Sequence, residues 1–305
     1  PYLDEAENRP HGRHLQTTTT WANLRVSVQY VSTAGAGALE SWLKDTLLPA
    51  ALTYVQETLQ VSPVSGTLKV ARFCSSTYVS SGTCATQGAI PTCGIEANGA
   101  DHIVEGTLLD SLETCTTCYT NGDPCSGCST APAGAGVAAD YILFVSSVNT
   151  AACGGGTLAY ASTCQRDQKD RPIVGYANFC PNALSSASAQ WVTQKSTAVH
   201  ELLHALGFSS GSWPLFRNAD GTPMTPREAD GLPEQMGAGS VTCTDGNPSS
   251  ATEYAISAST LEVATERGTT VTRLLTPRVV AVARDIFGCA TLRGPELENS
   301  PTGSP

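Results

Sequence analysis

His200-Glu201-Leu202-Leu203-His204 is the stretch on which the reading of this chain turns. Side chains four apart on an α-helix stack on one face, so both imidazoles can reach a single metal ion. The acid between them follows the first imidazole and leans toward a water held by that ion. A zinc ion lowers the pKa of such a water to about 7, and a neighbouring carboxylate can take its proton and return it to a leaving amine. The metal ligands read from this pattern are His200 and His204, the general base is Glu201, and the cofactor is one Zn2+ ion. The plainer reading is two core histidines and a buried acid. Three polar groups on an otherwise apolar helix are costly unless something satisfies them, and a metal would.

Outward from the motif, the spacing predicts a helix over 189–206, and its flanking Ala198, Val199, Leu202, Leu203, Ala205 and Leu206 look apolar nearly all round, as for a helix running through the interior. Tyr141 to Val145 reads as a buried strand, with further strands at 158–161 and 173–179. The alternation from Leu24 to Val31 predicts a strand with one buried face, and Leu68 to Ala71 a short one. Helical periodicity runs through 38–59, where Pro49 should kink or split the helix. Residues 74–136 are dense in Cys, Gly, Thr and Ser and read as a disulfide-stapled loop region. Residues 209–260 look like a long excursion. Thr276 as N-cap, Pro277 and the stop at Gly288 bracket a last helix.

The 305 residues carry 17 basic and 27 acidic side chains, a formal charge of −10. An acidic surface repels phosphate backbones, which argues against nucleic acid as a partner. No apolar run approaches the roughly 20 residues of a spanning helix. The twelve cysteines are scattered along the chain, which favours disulfides and an oxidising compartment. Cys115-x-x-Cys118 and Cys125-x-x-Cys128 could instead form a zinc knuckle, though the gap between the pairs is short for one. The chain opens at Pro1 without Met or leader, so a signal or pro-segment is expected to be missing from it. No Asn-x-Ser/Thr sequon supports secretion independently.

Thr197 to Ser209, with Gly207 three residues after the second histidine, resembles the active-site helix of the leishmanolysin-like metallopeptidases, a metzincin family. The likeness extends through Asp140 to Ser146, Cys153-Gly154, Thr157 to Ala161, Cys164-Gln165, Arg171 to Gly175, and Asn178 to Pro181. It continues in Thr276 to Val280, Phe287-Gly288-Cys289 and Glu296-Leu297-Glu298, and so covers about residues 24 to 298. The resemblance implies an α+β fold: a metzincin-like catalytic lobe with a mixed twisted sheet and the active-site helix, plus a partial, loop-rich, disulfide-stapled second lobe. The division expected is a flexible lead-in over 1–20, a catalytic lobe over 21–208 and a second lobe over 209–305, curtailed at its end.

The resemblance also implies a zinc-dependent endopeptidase with protein or peptide substrates, extracellular or on the cell surface, and a monomer. The alternative is an inactive relative serving binding or adhesion. In the family a third zinc histidine and a Met-containing turn follow the position of Glu298, and neither is present here; Met224 and Met236 fall too early in the sequence. Glu253, Glu262 and Asp285 are the carboxylates that could substitute, each more simply read as a surface charge. His11 and His14 read as tail residues, and His102 as a hydrogen-bonded scaffold residue.

Overall fold

The computed structural model describes residues 21–78, 81–119, 124–228, 231–242, 248–266 and 268–297. The lead-in over 1–20, with His11 and His14, lies outside these residues, as does Cys243. The chain divides into two compact units, one ending at Gly207 and the other running on from Phe208.

The first unit begins with β1 (Ala22–Asn23) and β2 (Val26–Ser32), then a helical stretch. That stretch opens as a 3-10 turn and contains α1 (Glu40–Trp42), a π-helical segment (Leu43–Leu47) and α2 (Leu48–Thr58), followed by β3 (Gln60–Val61). The expected break at Pro49 takes the form of this π segment: the Leu48 N–H bonds back five residues to the Leu43 carbonyl, and Pro49 falls in the first turn of α2. Pro49 has no N–H to donate, and it stands where the ladder of the π segment passes into that of α2, so the helix continues through it.

The cysteine-rich region follows with β4 (Cys74–Thr77), β5 (Cys84–Gln87), β6 (Thr92–Ile95), β7 (Asp101–Ile103), β8 (Leu112–Thr114) and β9 (Ser129–Ala131). It is therefore not simply loop: β4, β5, β8 and β9 form one small sheet and β6 pairs with β7. Strands of three or four residues are too short to show a period in sequence. The unit closes with β10 (Tyr141–Ser146), β11 (Ala159–Arg166), β12 (Pro172–Phe179) and α3 (Trp191–Ala205).

The central sheet has the order β11-β12-β10-β2. β2, β10 and β12 are parallel, and β11 is an antiparallel edge strand. Every residue of β10 is buried, as expected of a parallel strand covered on both faces. Its side chains alternate between two cores. Tyr141, Leu143 and Val145 join Leu48, Ala51, Leu52 and Val55 of α2 and Ala198, Leu202 and Ala205 of α3. Ile142 and Phe144 join Val70, Cys93, Val104, Leu108 and Leu109 from the cysteine-rich side. Leu43, Leu47 and Leu48 are fully buried, each contributing about 1.5–3 kcal/mol by leaving water.

Three expectations change in detail. The strand read at 24–31 runs from Val26 to Ser32 and is half-buried along most of its length rather than on alternate residues. Leu68 to Ala71 makes two isolated bridges, Leu68 to Val137 and Val70 to Leu109, rather than a strand. The motif helix is not buried all round: Gln194, Ala198, Glu201, Leu202 and Ala205 form one covered stripe, while Val192 and Leu203 are exposed. Spacings of four, three and one place that stripe on a single helical face.

Among the described residues, five disulfides join Cys74–Cys84, Cys93–Cys164, Cys115–Cys128, Cys118–Cys125 and Cys153–Cys180, all in the first unit. The second unit contains β13 (Gln235–Thr242), β14 (Pro248–Tyr254), β15 (Leu261–Glu266), β16 (Thr269–Leu274) and α4 (Pro277–Ile286). Its strands form two hairpins, β13 with β14 and β15 with β16. Cys289 is exposed and outside any disulfide among the described residues. The fold is α+β, and no helix among the described residues is long and apolar enough to cross a membrane.

Candidate metal centre

α3 lies on the sheet through a covered stripe that includes Glu201, and His200 and His204 stand off that stripe. Gln194 anchors the stripe early by donating from Nε2 to the Ala183 carbonyl at 2.9 Å. The helix stops immediately after its second histidine. The Leu206 N–H donates to Leu202 O at 2.9 Å and the Gly207 N–H to His204 O at 3.0 Å. Gly207 has φ +100°, and a Cβ there would stand 2.7 Å from Pro172 Cγ. Both the left-handed backbone and the close proline call for glycine at this stop.

His200 is exposed and His204 half-buried. Their Nε2 atoms stand 3.0 Å apart, and the rings meet edge to face with centroids 4.6 Å apart. Two imidazole nitrogens on one tetrahedral zinc at about 2.0–2.1 Å would be roughly 3.3–3.4 Å apart. The observed spacing is a few tenths of an ångström short of that, so the donor pair fits the ion with a small outward turn of the rings. Glu201, one residue along, is buried at 8 % exposure. Burial pushes its carboxyl up to about 7; a divalent cation alongside would pull it down again.

Within the first unit no third His, Cys, Asp or Glu among the described residues joins the pair. The carboxylates considered as substitutes all belong to the second unit. Glu262 is engaged by Arg293 and lies 3.7 Å from Arg273 Nη1, while Glu253 and Asp285 are exposed. His102 has the scaffold role expected of it: Nδ1 lies 2.6 Å from Glu96 Oε1, Nε2 3.2 Å from Glu105 Oε1, and the ring leans on Phe144. Sulfurs of Cys115, Cys118 and Cys125 gather within 4.8 Å of one another. All three are in disulfides, which removes the thiolates a zinc knuckle requires.

The leishmanolysin family model matches residues 111–222, a span that includes all three motif residues. The chain is 33% identical over 281 residues to a leishmanolysin-like peptidase of Drosophila melanogaster, covering 84% of this chain and 37% of that protein. With a leishmanolysin-like peptidase of Caenorhabditis elegans the identity is 31% over 299 residues, 92% of this chain and 42% of the relative. With a leishmanolysin homolog of Crithidia fasciculata it is 27% over 259 residues, 85% and 26%. The chain thus spans less than half the length of these curated relatives.

Proposed function

Because the chain belongs to the leishmanolysin family, we propose that it is a zinc-dependent metalloendopeptidase that hydrolyses peptide bonds in proteins. The observation that carries this reading is the convergence of His200 and His204 Nε2 to 3.0 Å beside the buried Glu201. The two imidazoles offer their Nε2 lone pairs to the ion, which leaves their protons on Nδ1. When bound, zinc supplies Lewis-acid polarisation of the scissile carbonyl and activation of water. Glu201 takes the proton of the attacking water and delivers it to the nitrogen of the departing amine. Catalytic zinc ordinarily has three protein ligands, and His200 and His204 are the two that the described residues bring together.

Substrate would lie extended along β11, the sheet edge that packs on α3, and pair with it through main-chain hydrogen bonds. A peptide complex without such pairing would dismiss that placement. Five disulfides support an extracellular or cell-surface setting.

Equilibrium dialysis against zinc, followed by casein hydrolysis, tests the function. Wild type should take up zinc and cut, while Glu201→Gln should take up zinc and leave casein intact. Turnover retained in Glu201→Gln refutes the base. A wild-type chain that binds no zinc refutes the metal site, and zinc uptake without cleavage by wild type favours a binding or adhesion role.

A further inference from the structure

The carbonyl of Ala205 is the last of α3 and follows His204 directly. The final carbonyls of a helix have no intrahelical donor and, where buried, must be satisfied from outside. Here two hydroxyls do so: Tyr141 Oη donates at 2.7 Å and Thr163 Oγ1 at 2.8 Å. Both donors are buried, Tyr141 at 2 % and Thr163 at 5 % exposure. They come from different strands, β10 and β11, on either side of β12.

Gly175 of β12 makes the arrangement possible. It pairs with Leu143 on one side and Thr163 on the other. A Cβ at this position would stand 2.0 Å from Tyr141 Oη and 3.2 Å from Ala205 O. The bare backbone is thus the gap across which the tyrosine reaches the helix end.

We propose that Tyr141 and Thr163 are positioning residues for the metal centre, clamping the end of α3 through the Ala205 carbonyl so that His204 holds its spacing to His200. The inference rests on the zinc reading above. Groups hydrogen-bonded directly to metal ligands typically contribute about 10–100-fold to metal affinity, and this pair, acting through the neighbouring Ala205 carbonyl, belongs at the low end. Removing either hydroxyl leaves the carbonyl one donor and lets the last turn loosen, which moves His204 before it unfolds anything else.

The test compares zinc affinity, by competition with a chromophoric chelator, and amide exchange at Leu206 and Gly207 in the 305-residue chain. Tyr141→Phe and Thr163→Val should each weaken zinc about tenfold and speed exchange at those amides, and Thr163→Ser should restore both. Val70→Ala, in the opposite core, serves as the control for destabilisation as such and should leave zinc affinity within twofold of wild type. The inference is overturned if Tyr141→Phe binds zinc within twofold of wild type, or if Val70→Ala weakens zinc equally. Should wild type take up no zinc, the peptidase reading fails. The exchange measurement then still decides the clamp, and unchanged rates overturn it.

Discussion

Replacing Cys93 and Cys164 together by alanine should cost the first unit about 4–5 kcal/mol of stability. The two cysteines are 71 residues apart in sequence and join β6 to the edge strand β11. A bridge limits the unfolded chain, and the loop-closure relation gives about 4.4 kcal/mol for a loop of that size. The Cys115–Cys128 bridge, with a separation of 13, lies inside the loop and shortens it. The effective loop is then about 60 residues, and the figure falls only slightly because it depends on the logarithm of length. Cys93 is 3 % exposed, so lost sulfur packing adds up to about 1 kcal/mol. Urea unfolding followed by near- and far-UV circular dichroism, without reductant, reads the change as a lower extrapolated stability and midpoint, with a steeper slope because the unlinked denatured chain exposes more surface. Double alanine avoids a stray thiol. Cys164 lies on the face away from α3, so zinc uptake below the transition should be unaffected. A loss under about 1 kcal/mol would show that the bridge does not constrain the unfolded chain as this reasoning requires.

Asp140 accepts from Arg25 Nε at 2.9 Å and Nη2 at 2.8 Å, and from the Val64 N–H at 2.7 Å. Burial alone would raise its pKa, but the Arg25 pair and the backbone donors of Val64 and Arg25 overcome this and hold it below the usual range. Its stabilisation is therefore complete above an unfolded-state pKa of about 3.9 and is lost as pH falls through the lower folded value. Asp140→Asn should cost about 2 kcal/mol at neutral pH, discounted because the Arg25 side chain is 45% exposed, and the two unfolding curves should converge in acid. Gly207→Ala should lose about 1–3 kcal/mol and weaken zinc, checked by urea midpoint and chelator competition, since φ +100° and Pro172 both oppose a side chain there. Leu202→Ala should cost about 2–5 kcal/mol by opening a cavity between α3 and the sheet, with a thermal scan as the measure. His204→Ala should abolish zinc uptake in dialysis while leaving the fold's circular dichroism unchanged, because its ring is outside both cores.

Much of the first unit was legible because its signals are local. Tyr141 to Ser146 is a continuous run of the kind a doubly covered parallel strand needs, and it forms β10. The histidine spacing on α3 survives as a converging pair. What escaped depends on partners distant in sequence. Gly175 reads as an ordinary glycine until Tyr141 and the helix end meet above it. Val199 and Leu203 made α3 look buried all round, yet Leu203 is 40 % exposed, and the covered stripe also includes the polar Gln194 and Glu201. The hairpin of β15 and β16 has only a short local signal: Glu266 pairs with Thr269 across a two-residue connection containing Gly268 at φ +81°. Its strands are threonine-rich and mostly exposed or half-exposed, so they carry no apolar alternation.

Because successive residues of β10 feed opposite cores, neither layer of the first unit can melt by itself. Reducing the bridges weakens the cysteine-rich cover that Ile142 and Phe144 pack against, without freeing it to open alone. The same strand carries Tyr141, Leu143 and Val145 beneath the helices, so when the cover unfolds the histidine pair is lost with it. Thiol exposure and loss of the metal centre should therefore proceed as a single cooperative event.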